Sequence, residues 1–216
     1  GTTILSNCAI EPEIKDLINF INSMGGRIKW IGKRTLKIEG VKNFKQDEYT
    51  VMPDRIEAGT YLIAAAVTEG DLKICGINPN IIKTEIDILK KIGVKIKSQK
   101  NQIKIIGTKD IKSINLKTSP YPGFPTDLQA QMMVLLSKSS KPSSIIENIF
   151  ENRFMHVPEL NRMGAKISIE GNKSIISPSN EFIGAPVMAT DLRASVSLVL
   201  AGLISSGETV INRIYH

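Results

Sequence analysis

Aromatic residues are scarce in this chain of 216 residues, at 5% of the sequence, and it has only two cysteines and two histidines. A single-strand nucleic-acid binder needs aromatic rings on which bases stack, so this scarcity argues against that class. Two cysteines are too few for a disulfide framework, and Cys8 and Cys75 lack metal-ligand spacing. Both lie in apolar surroundings, which predicts two buried thiols, although a Cys8–Cys75 pair stays open.

Long apolar runs are also missing. Spanning a bilayer takes roughly 18–20 uninterrupted apolar residues. The longest candidate, residues 194–204, is interrupted by Ser195, Ser197 and Gly202 and predicts a buried helix. No basic segment followed by an apolar one opens the chain, which argues against a signal peptide. We therefore expect no membrane partner and a cytoplasmic location.

Basic residues outnumber acidic ones, with 28 Lys and Arg against 21 Asp and Glu and a formal net charge of +7. A positive field favours anionic partners without specifying a site. The charge alone thus supports one candidate function, a basic scaffold that binds nucleic acid or another polyanion. A solvated basic surface that keeps the protein soluble explains the same charge. Hydrophobic residues at 42% exclude intrinsic disorder.

One structural unit occurs three times along the chain. In each copy an amphipathic helix ends at a glycine, where a left-handed C-cap favours a residue without Cβ. A second, more apolar helix then begins at an aspartate. The glycines are Gly25, Gly93 and Gly164, and the aspartates are Asp54, Asp127 and Asp191. The sequence therefore predicts repeats over about 1–69, 70–140 and 141–205, with 206–216 restarting the first strand of a further copy.

Each copy predicts the same order of elements: a strand, an amphipathic helix, two strands that alternate with period two, and a helix that is apolar on nearly all sides. Helices of the last kind are expected to be buried. The fold class predicted is α/β, a threefold pseudo-symmetric inside-out α/β barrel built of βαβαββ repeats, with helices inside and sheets outside. The abrupt start and end predict that 1–216 is one domain of a longer protein and that its partner domain is absent.

Three long runs indicate a family. They are YPGFPTDLQAQ over residues 121–131, FENRFMHVPEL over 150–160 and ATDLRAS over 189–195. Shorter runs agree, namely EPEI over 11–14, PDRIE over 53–57 and NRIYH over 212–216. Along its whole length the chain resembles the enolpyruvyl transferases, in particular the branch that acts on UDP-N-acetylglucosamine.

The resemblance implies an enzyme that moves the enolpyruvyl group of phosphoenolpyruvate to the 3-hydroxyl of UDP-N-acetylglucosamine, the first committed step of peptidoglycan synthesis. The reaction proceeds by addition and elimination and needs no metal and no organic cofactor. The two substrates would lie in a cleft between two inside-out α/β domains, of which this chain is one. Its partner would be the missing domain of the same protein, and the fragment alone would be inactive. Neither Cys8 nor Cys75 corresponds to the family's reactive cysteine.

Two aspartates carry the catalytic roles that the resemblance implies. Asp127 resembles the carboxylate that binds the sugar 3-hydroxyl and takes its proton, and Asp191 resembles a cleft carboxylate close to the reacting centre. An alcohol nucleophile needs such a base. The residues themselves leave a second interpretation open, because an aspartate at a helix start caps the backbone N–H groups. For Asp54 we expect only the cap.

Substrate binding is expected, by the same resemblance, at Asp127, Ile149, Phe150, Arg153 and Arg193. Two guanidinium groups suit dianionic phosphoenolpyruvate. Surface ion pairs remain the alternative for the arginines, and core packing remains the alternative for Phe150. The two histidines, His156 and His216, are expected to be structural, and no metal site is predicted.

Overall fold

The computed structural model describes residues 1–179 and 181–214, except for the side chain of Ala194. The prediction for His216 lies outside these residues. The described residues form two compact units. The smaller is Gly1–Pro53 with Pro120–Pro122, and the larger is Asp54–Ser119 with the described residues from Gly123 onward.

The smaller unit is built on a three-stranded antiparallel sheet and one amphipathic helix. Its elements are β1 (Thr2–Ser6), α1 (Pro12–Ser23), β2 (Arg27–Gly32) and β3 (Thr35–Glu39). The strand order is β1-β3-β2. Proline in the first turn of α1 suits the helix because that turn needs no backbone donor there. Asn22, in the last turn of α1, holds β2 through two hydrogen bonds to the backbone of Ile28.

The larger unit contains the other five helices and eleven strands of the described chain. In order they are α2 (Arg55–Val67), β4 (Asp71–Cys75), α3 (Lys83–Lys91), β5 (Lys95–Gln99), β6 (Gln102–Ile106), β7 (Asn115–Lys117), α4 (Gln129–Ser137), β8 (Ser143–Ile146), α5 (Val157–Arg162), β9 (Lys166–Glu170), β10 (Lys173–Ser177), β11 (Phe182–Ile183), β12 (Pro186–Met188), α6 (Leu192–Leu203), β13 (Ser205–Ser206) and β14 (Val210–Asn212). Two 3-10 turns, Pro79–Ile82 and Thr126–Leu128, precede α3 and α4.

Two sheets of the larger unit repeat the plan of the smaller one. Their strand orders are β4-β6-β5 and β7-β8-β10-β9. In each, as in β1-β3-β2, the strand before the amphipathic helix pairs antiparallel with the last of the three strands. The second of these sheets has a fourth strand, β7, which pairs with β8 in parallel. The residues that directly follow β7 and β8 therefore lie side by side at one edge of the sheet. Those residues are Thr118 and Glu147.

Buried helices form the core of the larger unit. Every residue of α4 is buried, and α4 contacts both α2 and α6. The prediction of nearly all-round burial therefore holds for α4. It is wrong for one face of α6, where Leu192, Val199 and Leu203 are exposed. Apolar composition predicts that a helix face avoids water but does not specify what covers it.

The glycine and strand predictions are confirmed closely. Gly25, Gly93 and Gly164 have φ of 96°, 106° and 98°, as a left-handed cap requires. Each predicted strand of the three repeats is present within two residues of its expected ends. The sequence did not predict the short parallel pairs β11–β13 and β12–β14. Within the described ranges, no helix has the length and apolarity to cross a membrane.

The expectation of buried thiols is wrong. Both cysteines are free, Cys75 is exposed and Cys8 is half-buried. Cys75 occupies an outward position of β4, where Asp71 and Lys73 also face solvent. The alternation of the strand, rather than the apolar neighbours in sequence, decides which side a cysteine takes.

Gly93→Val is expected to lower the melting temperature of the chain strongly. A left-handed φ costs an L-residue roughly 1–2 kcal/mol. A Cβ at Gly93 would also lie 2.9 Å from the backbone oxygen of Asp110, and such overpacking costs roughly 1–3 kcal/mol more. Gly171→Val is the matched control, since its φ is also positive (59°) and its Cβ meets nothing within 4 Å. Equal melting temperatures for the two variants would contradict the steric part of this explanation.

Candidate active site

Asp127 is held by two arginines from different segments of the larger unit. It lies in the 3-10 turn Thr126–Leu128, which leads directly into α4. Its Oδ1 accepts a hydrogen bond from Nη2 of Arg153 at 2.9 Å, and its Oδ2 accepts one from Nη2 of Arg193 at 3.2 Å. No side chain caps the 3-10 turn or α4, so the cap interpretation is wrong for Asp127.

The other two repeat-equivalent aspartates do cap helices. Asp54 Oδ1 accepts from the backbone N–H groups of Ile56 at 2.7 Å and Glu57 at 3.1 Å. Asp191 Oδ1 accepts from the backbone N–H of Arg193 at 2.7 Å, at the start of α6. Three aspartates that the repeat makes equivalent therefore serve different purposes. Asp191 is also coupled to Asp127, because the residue that it orients, Arg193, binds the Asp127 carboxylate.

The cluster is partly open to solvent. The side chains of Arg153, Arg193 and Asp127 are 18%, 31% and 32% exposed. An ionised carboxylate offers about four lone-pair sites. Each Asp127 oxygen takes one arginine N–H, so acceptor capacity remains for a donor that arrives from solvent. A substrate hydroxyl is such a donor.

Phe150 lies beside this cluster and is not part of the core. Its ring is 55% exposed, and the guanidinium carbon of Arg153 lies 4.8 Å from the ring centroid. That contact is a cation–π interaction, which helps to fix the guanidinium plane. Core packing is therefore the wrong interpretation for Phe150. Ile149, the residue before it, is 37% exposed.

An open cleft adjoins Arg153 and Phe150. Its volume is about 730 Å³. The lining residues are Glu147, Asn148, Phe150, Glu151, Asn152, Arg153, Phe154, Met155, Ile169, Gly171 and Asn172. The loop between β8 and α5 supplies most of them. The Asp127 cluster therefore stands next to a concave surface large enough for a small molecule.

Sequence reasoning missed Glu147, which directly follows β8 and is 2% exposed. Its Oε1 accepts hydrogen bonds from Thr118 Oγ1 and from the backbone N–H of Ile149, both at 2.8 Å, and from that of Phe150 at 3.2 Å. Its Oε2 accepts from Thr126 Oγ1 at 2.8 Å. The available signal was a charged residue at the end of an apolar strand, which predicts a buried carboxylate only if its partners are known.

His156 is the last residue of the same loop, directly before α5, and is 1% exposed. Burial lowers its pKa to about 4, with Asp191 opposing and Arg153 adding to this effect. Its Nε2 lies 3.2 Å from Met133 Sδ in α4. A neutral imidazole packed in the core agrees with the structural role predicted for His156. Among the described residues, no group of three or more His, Cys, Asp or Glu is arranged to hold a metal ion.

The chain is expected to lose stability as the pH falls from 6.5 to 4 because of His156. In the unfolded chain His156 takes up a proton at its ordinary pKa of 6.5. In the folded chain its pKa is about 4, so between these values only the unfolded chain is protonated there. The linked loss is roughly 3 kcal/mol. Urea unfolding across this pH range, with His156→Gln as the comparison, measures it. The same pH slope in both proteins would contradict the assignment.

Comparison with known proteins extends over the whole chain. The family model described as EPSP synthase (3-phosphoshikimate 1-carboxyvinyltransferase) matches residues 1–216. A UDP-N-acetylglucosamine 1-carboxyvinyltransferase of Pelagibacter ubique (strain HTCC1062) is 70% identical over 216 residues. One from Caldanaerobacter subterraneus subsp. tengcongensis is 52% identical over the same length. All of this chain is aligned in both, but it spans only 52% of each relative.

Solved structures share the fold. The enolpyruvyl transferase NikO from Streptomyces tendae matches with a TM-score of 0.91 and 26% identity, over 100% of this chain and 52% of that protein. An EPSP synthase from Acinetobacter baumannii matches with a TM-score of 0.72 and 20% identity, over 99% of this chain and 53% of that protein. The second likeness concerns the fold alone. These matches confirm the resemblance found in the sequence, and the chain belongs to the EPSP synthase family of enolpyruvyl transferases.

Proposed function

We propose that this chain is one half of a UDP-N-acetylglucosamine 1-carboxyvinyltransferase. The observation that carries the proposal is the Asp127 carboxylate, bound by Arg153 and Arg193 beside an open cleft. The names of the two curated relatives compared above supply the substrate class. The predicted organisation, in which the three repeats build one inside-out domain, stays part of this proposal.

Asp127 is the proposed base. As the 3-hydroxyl oxygen of the sugar bonds to C2 of phosphoenolpyruvate, Asp127 takes the hydroxyl proton and C3 gains a proton. Elimination then breaks the bond from C2 to the phosphate oxygen, removes a proton from C3 and restores the double bond. The group that protonates C3 is not assigned to this chain. A positioned base of this kind typically contributes about 10²–10⁴-fold to the rate.

Arg153 and Arg193 are the proposed anion contacts. Guanidinium groups bind phosphate and carboxylate through short, charge-assisted hydrogen bonds. Each arginine pairs with Asp127 through one nitrogen, Nη2, and a guanidinium group has five N–H donors. Phosphoenolpyruvate bound there would lie next to the base. Ile149 and Phe150 are proposed to meet the sugar nucleotide from the cleft side.

A chimera tests this function. In it, this chain replaces the matching half of the Pelagibacter ubique relative, to which it is 70% identical. We expect phosphate release that needs both phosphoenolpyruvate and UDP-N-acetylglucosamine. Replacing the sugar nucleotide by shikimate 3-phosphate is the control for substrate class. Phosphate release from phosphoenolpyruvate with shikimate 3-phosphate, but not with UDP-N-acetylglucosamine, would overturn the proposed acceptor.

A basic scaffold remains the second candidate, and one observation favours it. Lys73, Lys104 and Lys97 lie directly opposite one another on β4, β6 and β5, and all three are exposed. Like charges opposite one another destabilise a sheet. Asp71 offsets one of the three through its ion pair with Lys104 at 3.0 Å, and an anionic partner would offset the others. Nucleic-acid binding that weakens steeply with salt and is lost in a triple Lys→Gln variant would support this candidate.

A further inference from the structure

We propose that Glu147 is a positioning residue that fixes the Asp127 turn and the Ile149–Phe150 loop in one geometry. The inference rests on the proposed function and adds a residue to its site. Glu147 stands at the sheet edge where β7 and β8 end side by side. Its carboxylate is buried and joins the segments on both sides of the cluster.

The first connection leads to Asp127. Thr126 Oγ1 donates to Glu147 Oε2 at 2.8 Å, and Thr126 is the residue directly before Asp127. The turn is short, and Leu128 N–H donates to the Pro125 carbonyl at 3.2 Å. A fixed Thr126 side chain therefore limits how far the Asp127 carboxylate can move.

The second connection leads to the loop that carries the cleft residues. Glu147 Oε1 accepts from the N–H groups of Ile149 and Phe150, and Phe150 in turn contacts the guanidinium of Arg153. Arg153 in turn donates a hydrogen bond to Asp127. The Glu147 carboxylate is thus connected to both partners of the Arg153–Asp127 ion pair, to Asp127 through Thr126 and to Arg153 through Phe150.

The third connection anchors Glu147 to the sheet. Thr118, which follows β7 and is fully buried, donates through Oγ1 to Glu147 Oε1 at 2.8 Å. The same Oγ1 accepts from Asn148 N–H at 2.8 Å. The backbone of Glu147 is bound on its other side by Asn172, whose carbonyl accepts from the Glu147 N–H at 2.8 Å. Four donors therefore bind the carboxylate, three at Oε1 and one at Oε2, and hold it in one orientation.

A positioning role differs from a catalytic one in what its loss changes. In the proposed mechanism Glu147 takes no part in the reaction, so loss of one connection should displace Asp127 without removing it. A displacement of about 1 Å can cost about 10²-fold in rate. Thr126→Val cuts the single bond between Glu147 and the Asp127 turn, keeps the side-chain shape and leaves the other three bonds in place. Thr126→Ser keeps the hydroxyl and is the conservative rescue.

In the active chimera we expect Thr126→Val to lower kcat between about 10- and 100-fold, with a smaller change in KM. The melting temperature should fall by a few degrees, because Glu147 Oε2 loses its donor, and kcat is therefore measured well below it. Thr126→Ser should restore most of the rate. Glu170→Gln, an exposed carboxylate on β9 of the same sheet, is the control and should match the parent. Parental kcat in Thr126→Val, or equal kcat in the Val and Ser variants, would overturn the positioning role.

An exchange measurement on the 216-residue chain needs no activity. In Thr126→Val the Leu128 amide should exchange at least about tenfold faster, while the amide of Leu136 in α4 keeps its rate. Faster exchange at Leu128 but not at Leu136 supports the inference, whether or not the chimera is active. An inactive chimera would count against the proposed function but not against the positioning role. Unchanged exchange at Leu128 would overturn the inference while leaving the proposed function to stand on the chimera's turnover.

Discussion

Asp127→Asn is expected to lower turnover of the chimera by about 10²–10⁴-fold, the typical contribution of a general base. Asparagine has nearly the same shape, and its oxygen can still accept from one arginine. Its amide group is a poor proton acceptor, so the 3-hydroxyl loses its base. Steady-state kinetics with both substrates at saturation measures this loss.

Stability is the necessary control for this variant. Loss of the two ion pairs costs little, because the pairs are partly open to solvent and pairs at a surface are worth roughly 0–1 kcal/mol each. Asp54→Asn is the matched variant, since Asp54 opens the equivalent helix and asparagine caps a helix about as well as aspartate. It should retain the parental rate. Turnover of Asp127→Asn within a few-fold of Asp54→Asn, at equal melting temperature, would leave Asp127 without a role as base.

The isolated 216-residue chain is expected to release no phosphate from phosphoenolpyruvate and UDP-N-acetylglucosamine. The chain spans about half the length of its curated relatives. Catalysis depends on interactions that are stronger in the transition state than in the ground state, and in the proposed enzyme both halves supply them. The expected effect is loss of the entire rate enhancement.

A mixing experiment gives this prediction its control. The separate other half of the Pelagibacter ubique relative is added to the chain at increasing concentration. Activity should be absent from each half and rise with the concentration of the pair, as expected for a bimolecular association. Phosphate release by the chain alone that disappears in Asp127→Asn would contradict the need for a second half.

Local structure was readily predicted from this sequence because local signals determine it. Alternating strands and an amphipathic helix that ends at a glycine follow from side-chain periodicity and backbone sterics. Gly93 illustrates the point, since it has the positive φ that its place after the helix end predicts, and this φ strains any residue with a Cβ. The same reasoning failed for Cys75, because its apolar neighbours in sequence occupy the opposite face of the strand.

The site could be predicted only in part. The repeat makes Asp54, Asp127 and Asp191 equivalent, and each precedes a helix, so a cap was a sufficient local explanation for all three. Asp127 departs from it because Arg153 and Arg193 approach from segments 26 and 66 residues away. Family resemblance indicated these three residues. It did not indicate Glu147, whose hydrogen bonds depend on how β7 and β8 align.

The mass of the sugar nucleotide recovered from the chimera reaction tests the central claim most directly. The account predicts UDP-N-acetylglucosamine enlarged by one enolpyruvyl group, in amounts equal to the phosphate released, and almost none with Asp127→Asn. The attachment point should be the 3-oxygen, which proton NMR of the product identifies. Phosphate release without any gain in mass of the sugar nucleotide would contradict the account.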